Sequence, residues 1–551
     1  MYYDTLVLSG KYHEIGPQSG TLAHAAFKKP FRLDLFYQQV DGLVRSRSIQ
    51  RVLVERQDNF AVPAFGGLEE IRAALQRLRD AGKQVYYHAS TYDALDCVLA
   101  SACTRRVLHP LGTVSFPGVA RRDLFFKRLI DKHAIGVEVI RRGRYKSAAD
   151  RFRTEAHDTY AREQYQALVD GAVAAMRTAV LRAPAEGARP AWTETLLDEL
   201  LGGRILTAAQ ALESGVVDAL QTINDLTNGW KAEKIKPKAV RRRRIRSPFG
   251  PRVAVLVFEG MIVEGENQQH PLFGPAVGDR PMVKAIRALC ERKRVKAVVF
   301  RINSGGGSAI ASENILRELV ALQEKKPVVI SMGPVAASGG YWIAGSGGRV
   351  FALPTTITGS IGVVTLFFNL AELLRKHGIT ADCIKCGEAA DLGSALRPLT
   401  DSERGTIEGV VQSLYDGFIE RVAKVRRMAP EQVHALGEGR VWLGGDALQH
   451  GLVDAVGGLH EAVTHARTLI KSDSARLIFG PRWKRPLIAR LLGGSGTGAF
   501  PAPGAAMPFP LPALIGACRA MHGRPFFLDP MLCSPVFGGC GYLNRCLQQG
   551  I

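Results

Sequence analysis

Short apolar runs separated by amphipathic stretches set the rhythm of this chain. From Lys296 onward the order is a strand (KAVVFRI), a glycine-rich turn (NSGGGS), an amphipathic helix (ASENILRELVALQ) and a strand (PVVISM). A turn follows, then a short helix opening at Ser338 and a further strand (VFAL). Apolar, β-branched runs that alternate with helical periodicity predict α/β units with parallel strands and right-handed crossovers.

The same order occurs twice. RVWLGGDALQHGLVDAV (Arg440 to Val456) restates RILTAAQALESGVVDAL (Arg204 to Leu220), with Gly451 matching Gly215 and Asp454 matching Asp218, 236 apart. Upstream, GGRVFAL around Val350 aligns with TRRVLHP around Val107 at a spacing of 243, and GSIGVV at Gly362 aligns with SFPGVA at Gly118 at 244. The openings agree as well, YDTLVLSGKYHE with VAVLVFEGMIVEGE. Self-similarity at a fixed long spacing is the mark of a tandem architecture. The organisation expected is a first repeat over 1–232, a basic linker over 233–251, a second repeat over 252–470 and an irregular Pro/Gly-rich tail over 471–551.

Composition narrows the picture only a little. Lys+Arg of 72 against Asp+Glu of 51 in 551 residues leaves a charge of +21, yet the excess is spread along helices apart from Arg241 to Arg244. Nucleic acid is therefore not the expected partner. No run reaches the length of about 18 apolar residues that spans a bilayer, and Met1 is followed by Tyr-Tyr-Asp rather than a basic and apolar leader. An integral membrane protein is not expected from this sequence. Trp483 to Leu492 mixes basic and apolar residues as either a membrane-surface element or a solvent-facing helix does.

Nine cysteines are too few for a disulfide scaffold. The CxxC at Cys383 and Cys386 lies in ADCIKCG, which reads as a strand, and there residues three apart point to opposite faces, so it is a weak metal or redox signal. Cys518, Cys533, Cys540 and Cys546 in the tail pair, bind metal or remain free thiols.

The strongest chemical signal is MGPVAASGGYWIAGSG. Ser338 follows an apolar strand and opens a helix, with Gly339 and Gly340 behind it. A helix start offers free N–H groups and the positive end of the dipole to a developing oxyanion. INSGGGS (Ile302 to Ser308) ends the preceding strand and its backbone amides are candidates for the second oxyanion donor. It lacks the Gly-Lys-Ser/Thr ending of a phosphate-binding loop.

A nucleophilic serine needs a base, and none of the thirteen histidines lies in a recognisable motif. A lysine held in an apolar pocket is the other option, because its neutral amine accepts the hydroxyl proton. The repeat singles one out. Ser338 falls on Leu95 in the first repeat, and Lys146 of GRYKSAADRF falls on Ala390 in the second, so each half lacks what the other has.

The order NSGGGS, AASGGYW and TGSIG in the second half, with GRYKSA in the first, resembles signal peptide peptidase A of bacteria (protease IV) in its long two-repeat form, over nearly all of residues 1–470. The resemblance implies Ser338 as nucleophile, Lys146 as general base, and Ser360 of TGSIG as the residue that orients the lysine amine. It implies an oxyanion hole from the backbone of Gly339 and of Gly306 or Gly307, and a crotonase/Clp-protease-like domain in each repeat. It further implies a bowl-shaped homotetramer in the cell envelope, on its periplasmic face, that cuts remnant signal peptides at small or apolar side chains with no metal or organic cofactor.

Three features depart from the family pattern. The family's N-terminal membrane anchor has no counterpart, so either the start is truncated or the chain is held otherwise, by peripheral membrane association or as a soluble cytoplasmic form; Gly305 stands where proline is usual; and the tail after 470 is outside the resemblance. Two other readings share the residues: a crotonase-type coenzyme A thioester enzyme, and a non-catalytic envelope scaffold.

Overall fold

The fold is described from a computed structural model covering residues 1–15, 30–62, 64–182, 192–240, 250–270 and 274–481, with the backbone of 525–526. Arg241 to Arg244, Trp483 to Leu492 and the four tail cysteines lie outside the described residues.

The fold class is the one expected, α/β with two similar units in tandem. The first sheet has six parallel strands in the order Ala219–Leu220, Arg105–Leu108, Gln84–Ala89, Ile49–Arg56, Tyr2–Leu8 and Lys236–Pro237. The second runs Val441–Leu443, Ile357–Gly359, Val328–Ala337, Val295–Ser304, Arg252–Glu259 and Arg476–Gly480, parallel except between its first two members. Arg349–Ala352 and then Ala455–Val456 continue it beside the start of Val328–Ala337. Val328–Ala337 is buried along its whole length, which is why it reads as an unbroken apolar run.

Equivalent residues make equivalent bonds, with the edge strands in register at 244, so that Val350 matches Arg106 and not the Val107 expected from the sequence. Asp218 accepts the N–H of Arg106 at 2.7 Å, and Asp454 accepts that of Val350 at 2.7 Å, so the repeated C-terminal motif ties down the same edge strand in both units. Each sheet also carries an edge strand beyond the repeat bounds expected from sequence: Lys236–Pro237 falls in the expected linker and Arg476–Gly480 in the expected tail. Both are too short to announce themselves by pattern and are strands because they lie beside the first strand of their sheet.

The two units share a core. Leu6, Val52 and Leu75 belong to one buried cluster with Val253, Val255, Val299 and Val463. They are also joined by a separate antiparallel pair, in which Gly136–Arg142 of the first repeat runs beside Val363–Asn369 of the second, from Arg142 opposite Val363 to Gly136 opposite Asn369. Pro525–Phe526 lies on the other edge of Val363–Asn369.

One expected strand does not form. ADCIKCG is exposed and irregular, and Cys383 and Cys386 are both at the surface. A short segment becomes a strand only beside a partner edge, and among the described residues none pairs with it.

Candidate active site

Ser338 occupies a sharp turn between Val328–Ala337 and the helix Gly339–Ala344. Its backbone sits at φ 56° and ψ −118°, a region that costs a residue with a side chain about 1–3 kcal/mol. The turn persists because its surroundings hold both sides of it: Ser338 N–H donates to Gly359 O at 2.8 Å, and Trp342 N–H donates to Ser338 O at 2.8 Å. There is no GxSxG motif, but the turn does what such an elbow does, presenting a hydroxyl at the end of a strand above a helix start.

The matching turn in the first repeat is relaxed. There Asp93 caps the helix Ala94–Ala100 with ordinary extended φ of −98° and a reciprocal bond to Asp96. The strained version exists only where the serine is.

Lys146 reaches this turn from the other repeat. The strand Gly136–Arg142 delivers it into a tight loop, in which Lys146 N–H donates to Gly143 O at 3.1 Å and Tyr145 N–H to Glu438 O at 2.9 Å. Lys146 is 1% exposed although it carries an amine. Its Nζ lies 2.8 Å from Ser338 Oγ, 2.9 Å from Ser360 Oγ and 3.0 Å from Ser360 O. Ser338 and Ser360 are fully buried. Ser360 also has positive φ, 55°, and is held by its N–H to Arg440 O at 2.7 Å. The three side chains singled out by sequence therefore meet.

The glycine amides are less equivalent than the sequence suggests. Gly306 N–H is taken up by Ser304 Oγ at 3.1 Å. Gly307 lies next to Gly339, such that a Cβ on Gly339 would stand 3.3 Å from Gly307 N. Among the described residues no protein acceptor takes the N–H of Gly307 or Gly339. Gly307 has φ 153° and a Cβ there would meet Ile262 O at 2.0 Å, so only glycine fits.

Sequence reasoning missed the supports of the lysine loop. A Cβ on Gly439 would meet Lys146 N at 2.6 Å, and one on Gly143 would meet the Glu438 carbonyl carbon at 2.4 Å, so the two loops interlock backbone against backbone. Gln164 bridges them, donating to Tyr145 O at 2.8 Å and accepting from Val441 N–H at 3.2 Å. Ser147 Oγ bonds Tyr165 OH at 2.7 Å behind the lysine. Gly439 was within sight, directly before the repeated segment that starts at Arg440; nothing local marks Gln164.

The sequence pattern that defines peptidase family S49 matches residues 77–235 and 320–473. The chain belongs to peptidase family S49. Protease 4 of Haemophilus influenzae is 32% identical to this peptidase over 463 residues, covering 78% of this chain and 73% of that protein. Protease 4 of Salmonella typhi is 32% identical, covering 77% and 70%. The chloroplastic serine protease SPPA of Arabidopsis thaliana is 29% identical, covering 73% and 61%. The S49 peptidase described here is thus a serine-type endopeptidase. Among its described residues no helix is long and apolar enough to cross a membrane.

Proposed function

We propose that this peptidase cleaves apolar peptides, remnant signal peptides among them, with Ser338 as nucleophile and Lys146 as general base. The observation that carries the reading is the 2.8 Å approach of Lys146 Nζ to Ser338 Oγ, made by residues from different repeats. A lysine acts as a base only when neutral, and burial favours the uncharged amine.

Ser338 Oγ attacks the scissile carbonyl carbon while its proton passes to Lys146 Nζ. The oxyanion is received by the N–H groups of Gly339, at a helix start, and of Gly307, in the neighbouring glycine loop. Collapse expels the amine product, which leaves with the proton from Lys146. Water then attacks the acyl-enzyme, again giving its proton to Lys146, and the bond from the acyl carbon to Ser338 Oγ breaks as Lys146 returns the proton to Oγ, which restores the hydroxyl and the neutral amine. Ser360 orients the amine through its hydroxyl and carbonyl. The protein works as a homotetramer at the cell envelope, peripherally attached to the membrane, as its resemblance to signal peptide peptidase A implies.

Ser338→Ala and Lys146→Ala are each expected to abolish cleavage of an apolar peptide while circular dichroism and assembly state remain those of the parent. Full activity in either variant rules out the dyad.

A further inference from the structure

Lys146 and Ser338 come from different repeats, and one buried side chain reaches toward both. Gln164, 1% exposed, lies on the helix Thr159–Leu181 of the first repeat. Its Nε2 donates to Tyr145 O at 2.8 Å and to Ser147 Oγ at 3.2 Å, the two residues that flank Lys146. Its Oε1 accepts the N–H of Val441 at 3.2 Å. Val441 follows Arg440, whose carbonyl takes the Ser360 N–H at 2.7 Å. Val441 also stands opposite Gly359, whose carbonyl takes the Ser338 N–H at 2.8 Å. From Gln164 the path to Lys146 is therefore one residue, and the path to Ser360 is one residue and one hydrogen bond. A primary amide is what the position requires, because it brings two donors and an acceptor on one planar group.

The helix that carries Gln164 is itself fixed against the serine side of the site. Ala161, Tyr165 and Leu168 form a buried cluster with Val335, Ala337, Ile357, Val441 and Leu443, and Ala337 directly precedes Ser338. A Cβ on Gly171 would meet Leu443 Cδ1 at 2.3 Å, so the helix lies close on that strand. The corresponding helix of the second repeat, Asp401–Arg426, has its cap at Thr400, 242 positions after the cap Asp158. There the positions 242 and 244 beyond Gln164 are Thr406 and Glu408, and neither is buried. The buried amide occurs in the repeat that holds the lysine.

We infer that Gln164 is a positioning residue for the dyad, clamping the lysine loop to the strand that holds Ser360 and thereby setting the 2.8 Å reach of Lys146 Nζ to Ser338 Oγ. The inference rests on the Ser338–Lys146 reading proposed above. Gln164 touches neither reacting atom, so its loss lets the loop shift and moves the amine out of line with the hydroxyl while leaving the base in the chain. A displacement of that kind slows the chemical step on the order of 10²-fold. Substrate binding is little affected, since Gln164 bonds to neither of the amides assigned to the oxyanion.

Steady-state cleavage of one apolar peptide by the full chain tests this, with active sites counted by titrating Ser338 to completion with a fluorophosphonate. Gln164→Leu removes donors and acceptor; Gln164→Glu keeps the acceptor for Val441 and loses the donors to the lysine loop. Each is expected to show kcat per titrated site about 10²-fold lower with KM little changed. Gln166→Leu, an exposed change on the same helix where Gln166 bonds Asp170 at 2.8 Å, is expected to keep the parental kcat. A purely structural glutamine would lower the melting temperature and the number of titratable sites and leave turnover per site at the parental value. That result, in whichever of the two Gln164 variants folds, overturns the inference and leaves the dyad in place when Lys146→Ala is inactive. Parental turnover in Lys146→Ala overturns the dyad and the inference together.

Discussion

At Ser338 the energetic interest is in the backbone. Holding φ at 56° costs about 1–3 kcal/mol, and the first repeat, without a nucleophile, spends nothing there because Asp93 makes an ordinary cap. Ser360 is strained as well, and its two oxygens face the Lys146 amine at 2.9 and 3.0 Å. Ser360→Ala keeps the carbonyl contact and loses the hydroxyl. The amine then has more freedom, and kcat should fall on the order of 10²-fold with KM little changed, because misplacing a reacting group by a fraction of its bond length has that effect. Steady-state kinetics on one peptide checks it; a rise in KM alone would mean that Ser360 touches substrate and does not orient the lysine. The candidacy of Ser338 and Lys146 was readable in the sequence, since neither has a copy in the other repeat; Ala390 stands in the place of Lys146, and the turn that matches Ser338 holds Asp93, two positions before the Leu95 that the sequence spacing selects. That Gly306 N–H is occupied while Gly307 N–H is not was unreadable there, because which amide Ser304 Oγ takes depends on how the loop closes.

Among the elements, the lysine loop and the Glu438–Gly439 loop are held by close backbone approach. Gly439→Ala would put a methyl group 2.6 Å from Lys146 N. Gly203, its counterpart in the first repeat, has φ of 99° with open space around it. Both substitutions carry the same left-handed strain, about 1–2 kcal/mol, but only the first displaces the lysine. Gly439→Ala is expected to lose activity about 10-fold or more and Gly203→Ala to lose stability alone, read from peptide cleavage and thermal melts side by side. Equal activity losses would show that the interlock does not position Lys146. The strands of the two main sheets were legible from apolar runs. ADCIKCG was misread as a strand because its short apolar stretch has, among the described residues, no edge to pair with.

Across the molecule, the repeats are fastened by a buried guanidinium. Arg301, fully buried on Val295–Ser304, lies 3.0 Å from Glu14 and 2.8 Å from Glu70, both from the first repeat. It also bonds Met332 O at 2.8 Å and Ser331 Oγ at 2.9 Å on the strand that ends at Ser338. Arg301→Met leaves buried carboxylates without their cation and should cost about 3–5 kcal/mol in urea unfolding. Burial, against the attraction of Arg301, pushes the Glu14 carboxyl up to about 7 from its ordinary 4.5. A carboxyl raised in the folded state binds its proton more tightly there than when unfolded. Its contribution to stability is complete below about pH 4.5 and is lost as pH rises through about 7. Thermal midpoints should decline from pH 5 to pH 8, and Glu14→Gln should flatten part of that decline; Glu69, which burial also raises to about 7, and Asp96, which burial raises as well, contribute to the rest. An unchanged slope in Glu14→Gln would remove Glu14 from the account.

The sequence by itself determined the tandem α/β plan and the division of the site, since apolar periodicity is local and a duplicated chain carries its own alignment. Only the tertiary structure decided that Lys146 and Ser338, 192 positions apart, come within 2.8 Å. It also decided that the strand delivering the lysine pairs with the other repeat while its copy at 380–386 pairs with none of the described residues. Backbone edges carry no side-chain label, so which edge meets which is set by the packing of whole units against one another.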